Sequence, residues 1–206
     1  MQARSWILAA VTAAIAVGIG AALYARFNPE LALSSGTVLP EPRPIGEFSL
    51  LDQHGKPFGR AALENRWSLL FTGFTHCPDL CPTTLALLAK LRTRVPGDGL
   101  QVVFVSVDPE RDTPERIATY LAHFDPTFVG ATGTTAEIER FTATLGLAQV
   151  RNPGVGGEYT VDHSAALVLI DPQARVAGYF RPPHDAEALA ADLAPLAAAA
   201  RGDVHL

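Results

Sequence analysis

The 206-residue sequence has no excess of basic residues. It carries 16 lysines and arginines against 21 acidic residues, which gives a net charge of −5, and the arginines are scattered. Because no basic stripe exists, nucleic acid is not expected as a partner. The sequence also contains no internal repeat and no long low-complexity tract, and its length allows one domain with additional segments.

Charged residues are missing from one long stretch near the N-terminus. Trp6 to Tyr24 carries no charge, with Arg4 before it and Arg26 after it. About 20 apolar residues span a bilayer, and an aromatic residue at each edge is typical of interface anchors. A cleaved signal peptide usually has a shorter apolar region, and no good small-x-small cleavage site precedes this segment's end. Residues 1–27 are therefore predicted to form a transmembrane helix that anchors the chain.

The charges beside this span predict its orientation. The amino terminus and Arg4 outweigh the lone Arg26, which favours an N-terminus inside the cell. No transit segment rich in arginine and serine precedes the span, which favours a bacterial chain. We expect a single-pass protein of the bacterial cytoplasmic membrane with its domain on the periplasmic side. Residues 28–44 are predicted to be a linker because they are rich in proline, serine and glycine, followed by a domain over 45–200 and a tail over 201–206.

The only two cysteines, Cys77 and Cys81, lie between a predicted strand, Trp67 to Phe74, and a predicted helix, Thr83 to Val95. Because each cysteine precedes a proline, we expect both in a loop at the strand end. A helix N-terminus lowers the pKa of a nearby thiol and favours the thiolate. A structural disulfide is the alternative, but so short a loop would restrict the unfolded chain little. The pattern therefore favours a reactive or metal-binding role for the two cysteines over a structural disulfide.

Strands and helices alternate through the rest of the predicted domain. The pattern predicts a hairpin turning near Asp52, a buried strand Gln101–Val107, a helix starting at Thr113, a strand over 128–131, a helix over 134–147, a flexible excursion over 149–158, a hairpin over 165–180 and a helix over 185–200. This order predicts an α/β fold that is thioredoxin-like, with a central mixed sheet flanked by helices.

Two residues outside the cysteine stretch are candidates for the same site. Asp108 follows a buried strand, at the kind of position where α/β sheets bind ligands, although a turn or capping role would also explain it. His163 stands at the mouth of the terminal hairpin. Taken alone, a histidine at a strand entry is more often a structural residue than a ligand.

Three motifs resemble those of the Sco/SenC family, which are copper-binding accessory factors for cytochrome c oxidase. They are FTHCPDLCPTT, VSVDPERDTPE and YTVDHSAALVLIDP, in the same order as in the family. The resemblance implies that Cys77, Cys81 and His163 bind a copper ion and that the fold is thioredoxin-like. It also implies a copper chaperone that delivers copper to the dinuclear site of the oxidase. The implied partners are the copper-binding subunit of the oxidase and other copper chaperones or thioredoxin-like reductases.

The donor set agrees with this resemblance. Two thiolates and one imidazole are soft ligands that suit Cu(I), whereas structural zinc normally has four protein ligands. The only methionine is Met1, so the axial methionine of blue-copper electron carriers is missing. His76 could act as a fourth ligand or tune the neighbouring thiol, and Asp162 and Tyr159 could orient His163.

Copper delivery requires no enzymatic activity, but two enzyme classes are alternatives. A thiol–disulfide oxidoreductase would cycle Cys77 and Cys81 between dithiol and disulfide and reduce the copper-site cysteines of the oxidase, although the usual redox pair is Cys-x-x-Cys. A peroxidase would need an accessible thiolate of low pKa. His163 separates these functions, because metal binding needs it and thiol chemistry does not. The predicted cofactor is a copper ion, as Cu(I), Cu(II) or both.

Overall fold

The computed structural model of the chain describes residues 15, 17–20, 31–153 and 159–200. Most of the predicted transmembrane segment, residues 1–27, and all of the predicted tail, residues 201–206, lie outside the described residues. No helix within the described ranges is long and apolar enough to cross a membrane.

The centre of the described structure is a mixed β-sheet. The strands are β1 (Thr37–Pro44), β2 (Ser49–Asp52), β3 (Pro57–Gly59), β4 (Trp67–Gly73), β5 (Leu100–Ser106), β6 (Val129–Thr132), β7 (Gln149–Pro153), β8 (Tyr159–His163), β9 (Leu167–Ile170) and β10 (Arg175–Phe180). Eight of them form one sheet in the order β1-β10-β9-β4-β5-β6-β2-β3, and β7 pairs with β8 in a separate sheet. Strands β4, β5 and β6 are parallel, whereas β9 is antiparallel to β4.

Helices cover both faces of this sheet. They are α1 (Leu80–Arg94), α2 (Pro114–Ala122), α3 (Thr135–Thr144) and α4 (Ala186–Ala200). Leu69 and Phe71 of β4 point towards α1, α2 and α4, while Leu70 points towards α3. Successive residues of a strand face opposite sides, so a strand buried on both faces is apolar throughout. The predicted α/β class, a mixed sheet flanked by helices, is confirmed.

Two helices begin where the sequence supplies caps. The Thr113 hydroxyl accepts a hydrogen bond from the backbone N–H of Arg116 at the start of α2. At the start of α3, Thr134 and Glu137 form a capping box in which each side chain bonds the other residue's backbone N–H. Such caps satisfy N–H groups that have no partner inside the helix. They place the first turns of α2 and α3 as the sequence predicts.

The two predicted hairpins, β2–β3 and β9–β10, are both antiparallel pairs in the structure. A third hairpin was not predicted. Residues 149–153, expected to be part of a flexible excursion, form β7 and pair with β8, with Gln149 opposite His163. The excursion prediction is therefore wrong for residues 149–153. The glycine and proline residues near position 154 are typical of a loop. They obscured a short strand whose partner strand follows them in the sequence.

The linker prediction for residues 28–44 is wrong for its second half. Residues 37–44 form β1, which pairs with β10 at the sheet edge, with Thr37 opposite Tyr179. The pairing is irregular between Val38 and Arg43. An edge strand tolerates prolines because one row of its N–H groups needs no partner strand. These prolines and the irregular pairing remove the alternation by which a strand is recognised in a sequence.

The segment before β1 is also attached to the domain. The carboxylate of Asp192 in α4 accepts four hydrogen bonds, from the backbone N–H and the hydroxyl of both Ser34 and Ser35, at 2.6 to 2.9 Å. Leu31 and Leu33 pack against the core cluster that includes Leu189 and Leu193 of α4. The folded part of the chain thus includes residues 31–44, ahead of the predicted boundary at residue 45.

Candidate metal centre

The cysteine stretch lies where β4 leads into α1. Cys77 is in the turn after β4, but Cys81 is the second residue of α1. The prediction that both cysteines lie in a loop is correct for Cys77 and wrong for Cys81. A proline disfavours the helical region for the residue before it without forbidding it, and Pro82 itself fits the first helical turn.

Cys81 is packed tightly against the end of β4. Its side chain is 0% exposed, whereas Cys77 is half-buried, and both are free thiols. A Cβ atom at Gly73 would lie 2.8 Å from the Cys81 sulfur and 2.9 Å from the Phe104 ring. Glycine at position 73 therefore allows the strand to pass this close to the buried thiol.

Burial changes the acidity of Cys81 in the opposite direction to the sequence-based expectation. Loss of solvation around the sulfur raises the pKa of the Cys81 thiol, and this effect is larger than the lowering by the backbone hydrogen bond of Phe74. The prediction of a lowered pKa is therefore wrong for Cys81. Without a metal this residue is a protonated thiol at neutral pH, so a metal ion must displace the proton in order to bind.

His163 is the last residue of β8, and its imidazole lies beside the thiols. Its Nε2 atom lies 3.4 Å from the Cys81 sulfur. The rings of Phe71 and Phe74 meet the imidazole edge-on, each with its centroid 5.9 Å from the imidazole centroid. These contacts hold the ring with Nε2 directed at the cysteines.

The other ring nitrogen determines the tautomer of His163. Its Nδ1 atom lies 3.2 Å from the backbone carbonyl oxygen of Ser164, which can only accept a hydrogen bond. This pairing places the proton on Nδ1 and leaves the lone pair of Nε2 directed at the Cys81 sulfur. Burial lowers the pKa of His163 and so favours the neutral ring, the form that binds metals.

The structure brings the three predicted ligands together. The two sulfur atoms and an imidazole nitrogen of Cys77, Cys81 and His163 all lie within 4.8 Å of one another. Two sulfurs and one nitrogen fit a soft ion of low coordination number such as Cu(I). A closed structural zinc site needs a fourth protein ligand, which this group does not contain.

Asp108 and Tyr159, both predicted to support the site, bond to each other. The Tyr159 hydroxyl donates to Asp108 Oδ1 at 2.6 Å. Arg111 Nε donates to the other oxygen of the same buried carboxylate. Sequence reasoning missed Arg111, although it follows Asp108 by three residues in the DPERD segment. Tyr159 was expected to orient His163 directly. In the structure, the His163 Nδ1 atom bonds to the Ser164 carbonyl instead.

Asp162 and His76 have partners other than the ligands. Asp162 accepts a hydrogen bond from the Asn152 side chain at 2.7 Å, across the hairpin. His76 Nε2 lies 3.0 Å from a guanidinium nitrogen of Arg116. Within the described residues, neither the expected contact of Asp162 with the His163 ring nitrogens nor the expected grouping of His76 with the cysteines is found.

His76, Asp108 and Asp112 form a second cluster of potential ligand atoms. The carboxylate of Asp112 already accepts three hydrogen bonds. They come from the Thr75 backbone N–H at 2.9 Å, the Thr75 hydroxyl at 2.6 Å and the Ser106 hydroxyl at 2.6 Å. This cluster therefore fixes the turn that precedes Cys77.

Comparisons with known proteins agree with this geometry. A family model described as SCO1/SenC matches residues 38–198. A protein of Stutzerimonas stutzeri, named as a candidate copper-binding protein, is 39% identical over 159 residues, which cover 76% of this chain and 78% of that protein. The mitochondrial SCO1 homolog 1 of Arabidopsis thaliana is 35% identical over 147 residues, 70% of this chain and 44% of that protein.

Solved structures share the fold. ScoI of Bradyrhizobium japonicum with copper bound is 37% identical, with a TM-score of 0.69 over 74% of this chain and 99% of that one. ScoI of Arabidopsis thaliana with copper bound is 32% identical, with a TM-score of 0.69 over 73% of this chain and 96% of that one. From the fold, the three motifs and the extent of these matches, the chain belongs to the SCO1/SenC family.

Proposed function

We propose that this chain binds one copper ion through Cys77, Cys81 and His163 and delivers it to the dinuclear copper site of cytochrome c oxidase during assembly. The observation that carries the proposal is the convergence of the three ligand atoms within 4.8 Å. The copper in the solved structures of the Bradyrhizobium and Arabidopsis relatives supports it. The oxidase as the recipient rests on the motif resemblance to the family.

The arrangement of the ligands suits a protein that must release its copper ion to an acceptor protein. Cys81 is 0% exposed, whereas Cys77 and His163 are only partly buried. Cys77 lies in the turn after β4 and Cys81 in the first turn of α1, whereas His163 lies at the end of β8, so the ligands come from two separate parts of the chain. An acceptor ligand would therefore replace Cys77 or His163 first, and the buried Cys81 would release the ion last.

The oxidation state of Cys77 and Cys81 should control copper binding. The reduced full-length chain should retain one equivalent of Cu(I) against a competing chelator under anaerobic conditions. After oxidation to a Cys77–Cys81 disulfide it should retain none, because sulfur in a disulfide cannot act as a thiolate ligand. Re-reduction is the control and should restore binding. Equal Cu(I) retention in the oxidised and reduced chains would contradict the proposal.

A thiol–disulfide oxidoreductase is the second candidate. It is favoured by two free, adjacent cysteines of which Cys77 is half-exposed. Cys77 would attack the target disulfide, and the buried Cys81 would resolve the mixed disulfide. The raised pKa of Cys81 makes Cys81 unsuitable as the attacking group. This function has no use for the imidazole of His163, so His163 separates the two candidates.

We also propose that residues 1–27 anchor the domain on the periplasmic side of the bacterial cytoplasmic membrane. The uncharged stretch Trp6 to Tyr24 supports this, and helical Ile15, Val17 and Ile19 are each more than half exposed in the isolated chain. A periplasmic reporter fused after residue 30 should be active, and a cytoplasmic reporter at the same position should be inactive. A mature protein that begins near Phe27 and fractionates as soluble would contradict the anchor.

A further inference from the structure

We propose that Tyr159 is a positioning residue for His163, because it fastens the β7–β8 hairpin to the body of the domain and so holds the imidazole against the thiols. This inference rests on the proposed copper binding. We call the group of Tyr159, Asp108, Arg111 and Arg151 the tyrosine clamp.

The need for such a fastening follows from the sheet topology. β7 and β8 pair with each other and not with the eight-stranded sheet. The backbone hydrogen bonds of the main sheet therefore do not set the position of His163, which is the last residue of β8. Side-chain contacts between the hairpin and the body must do so. Val161, which is 7% exposed, supplies one of them.

Tyr159 supplies a further contact between the hairpin and the body. Alternate residues of a strand share a face, so Tyr159, Val161 and His163 all point towards the body. The guanidinium carbons of Arg111 and Arg151 each lie 3.8 Å from the centroid of the Tyr159 ring. A cation over an aromatic face is favourable, and the Tyr159 ring makes two such contacts.

The hydroxyl of Tyr159 adds a bond to a buried charge. It donates to Asp108 Oδ1 at 2.6 Å, and the Asp108 side chain is fully buried. Arg111 pairs with the same carboxylate and also donates to the backbone oxygen of Tyr159 at 3.2 Å. A buried carboxylate that loses one of its partners is unfavourable, so opening the hairpin is opposed.

The clamp is connected to His163 by direct contacts. The Arg111 guanidinium, which stacks on Tyr159, also lies 5.7 Å from the centroid of the Phe74 ring. Phe74 in turn meets the imidazole of His163 edge-on. A shift of Tyr159 would therefore disturb His163 along β8 and also through Arg111 and Phe74.

The test is Tyr159→Phe in the full-length chain, which removes one hydroxyl and keeps the stacked ring. We expect Cu(I) affinity, measured by competition with a chelator, to fall about tenfold, the lower end of the effect of groups that orient metal ligands. Tyr179→Phe is the matched control, because its hydroxyl donates to the Leu145 carbonyl at 2.8 Å and not to a residue of the tyrosine clamp. Its affinity should equal that of the wild type.

A double-mutant cycle separates positioning from a general structural role. In a His163→Ala background, Tyr159→Phe should cause no further loss of Cu(I) affinity, because the group it positions is gone. Arg151→Ala, which removes one of the two guanidinium groups that contact the Tyr159 ring, should behave in the same way. An undiminished loss in the His163→Ala background, or no loss in the wild-type background, would overturn the inference. A wild-type chain that binds no Cu(I) would instead overturn the proposed function.

Discussion

Cys81→Ala should lose Cu(I) almost completely at a chelator strength at which the wild-type chain retains one equivalent, and His163→Ala should bind Cu(I) on the order of a hundredfold more weakly. A metal site of four ligands in zinc peptides is worth roughly 10–16 kcal/mol, so each ligand accounts for roughly 2.5–4 kcal/mol, on the order of a hundredfold in affinity. Loss of one ligand from a three-ligand site leaves a weak two-coordinate site. Cys81 should have the larger effect because it is the fully buried ligand.

Leu80→Ala is the matched control for this prediction. Leu80 is the neighbour of Cys81 in the first turn of α1, and its side chain is 42% exposed. Its truncation changes the same turn without removing a ligand, so Cu(I) affinity should be unchanged. In His163→Ala both thiols should still titrate and the domain should remain folded. Equal copper retention by the wild type and His163→Ala would remove the histidine from the site.

In cells, His163→Ala should lower the copper content and the activity of cytochrome c oxidase while the oxidase polypeptides are still made. All three ligands are needed to hold the ion before transfer, so Cys77→Ala and Cys81→Ala should give the same defect. The measurement is the copper content and activity of the oxidase in membranes from cells grown at limiting copper. Excess copper in the medium should partly rescue each variant by mass action.

A function restricted to thiol reduction gives a different pattern. The two cysteine variants would fail, but His163→Ala would behave like the wild type, because thiol–disulfide exchange depends on thiolate access and leaving-group pKa. Added copper would not rescue an acceptor whose cysteines remain oxidised. A fully active oxidase in the His163→Ala strain at limiting copper would decide against copper delivery and in favour of the reductase.

The central part of the fold could be predicted from the sequence because its signals are local. Strands β4, β5 and β9 are almost continuous apolar runs, which is typical of strands buried on both faces. Thr113 and Thr134 mark helix starts through their own caps. β1 and β7 could not be predicted from local patterns. β1 pairs with β10 near the other end of the domain, β7 pairs with β8 across a glycine-rich segment, and neither sequence alternates.

The ligands of the candidate site were predictable and their surroundings were not. Cys77, Cys81 and His163 were assigned by motif resemblance, and the structure places their ligand atoms together. The raised pKa of Cys81 depends on how deeply the first turn of α1 is buried, which no local pattern reveals. The contacts among Phe74, Arg111 and Tyr159 join three separate segments, so they appear only in the folded chain.

The most direct test of the central claim is X-ray absorption at the copper edge of the full-length chain, loaded anaerobically with one equivalent of Cu(I). The account predicts two sulfur neighbours and one imidazole nitrogen from Cys77, Cys81 and His163, with the nitrogen contribution absent in His163→Ala. Copper coordinated by sulfur alone in the wild type, or an imidazole contribution that persists in His163→Ala, would contradict it.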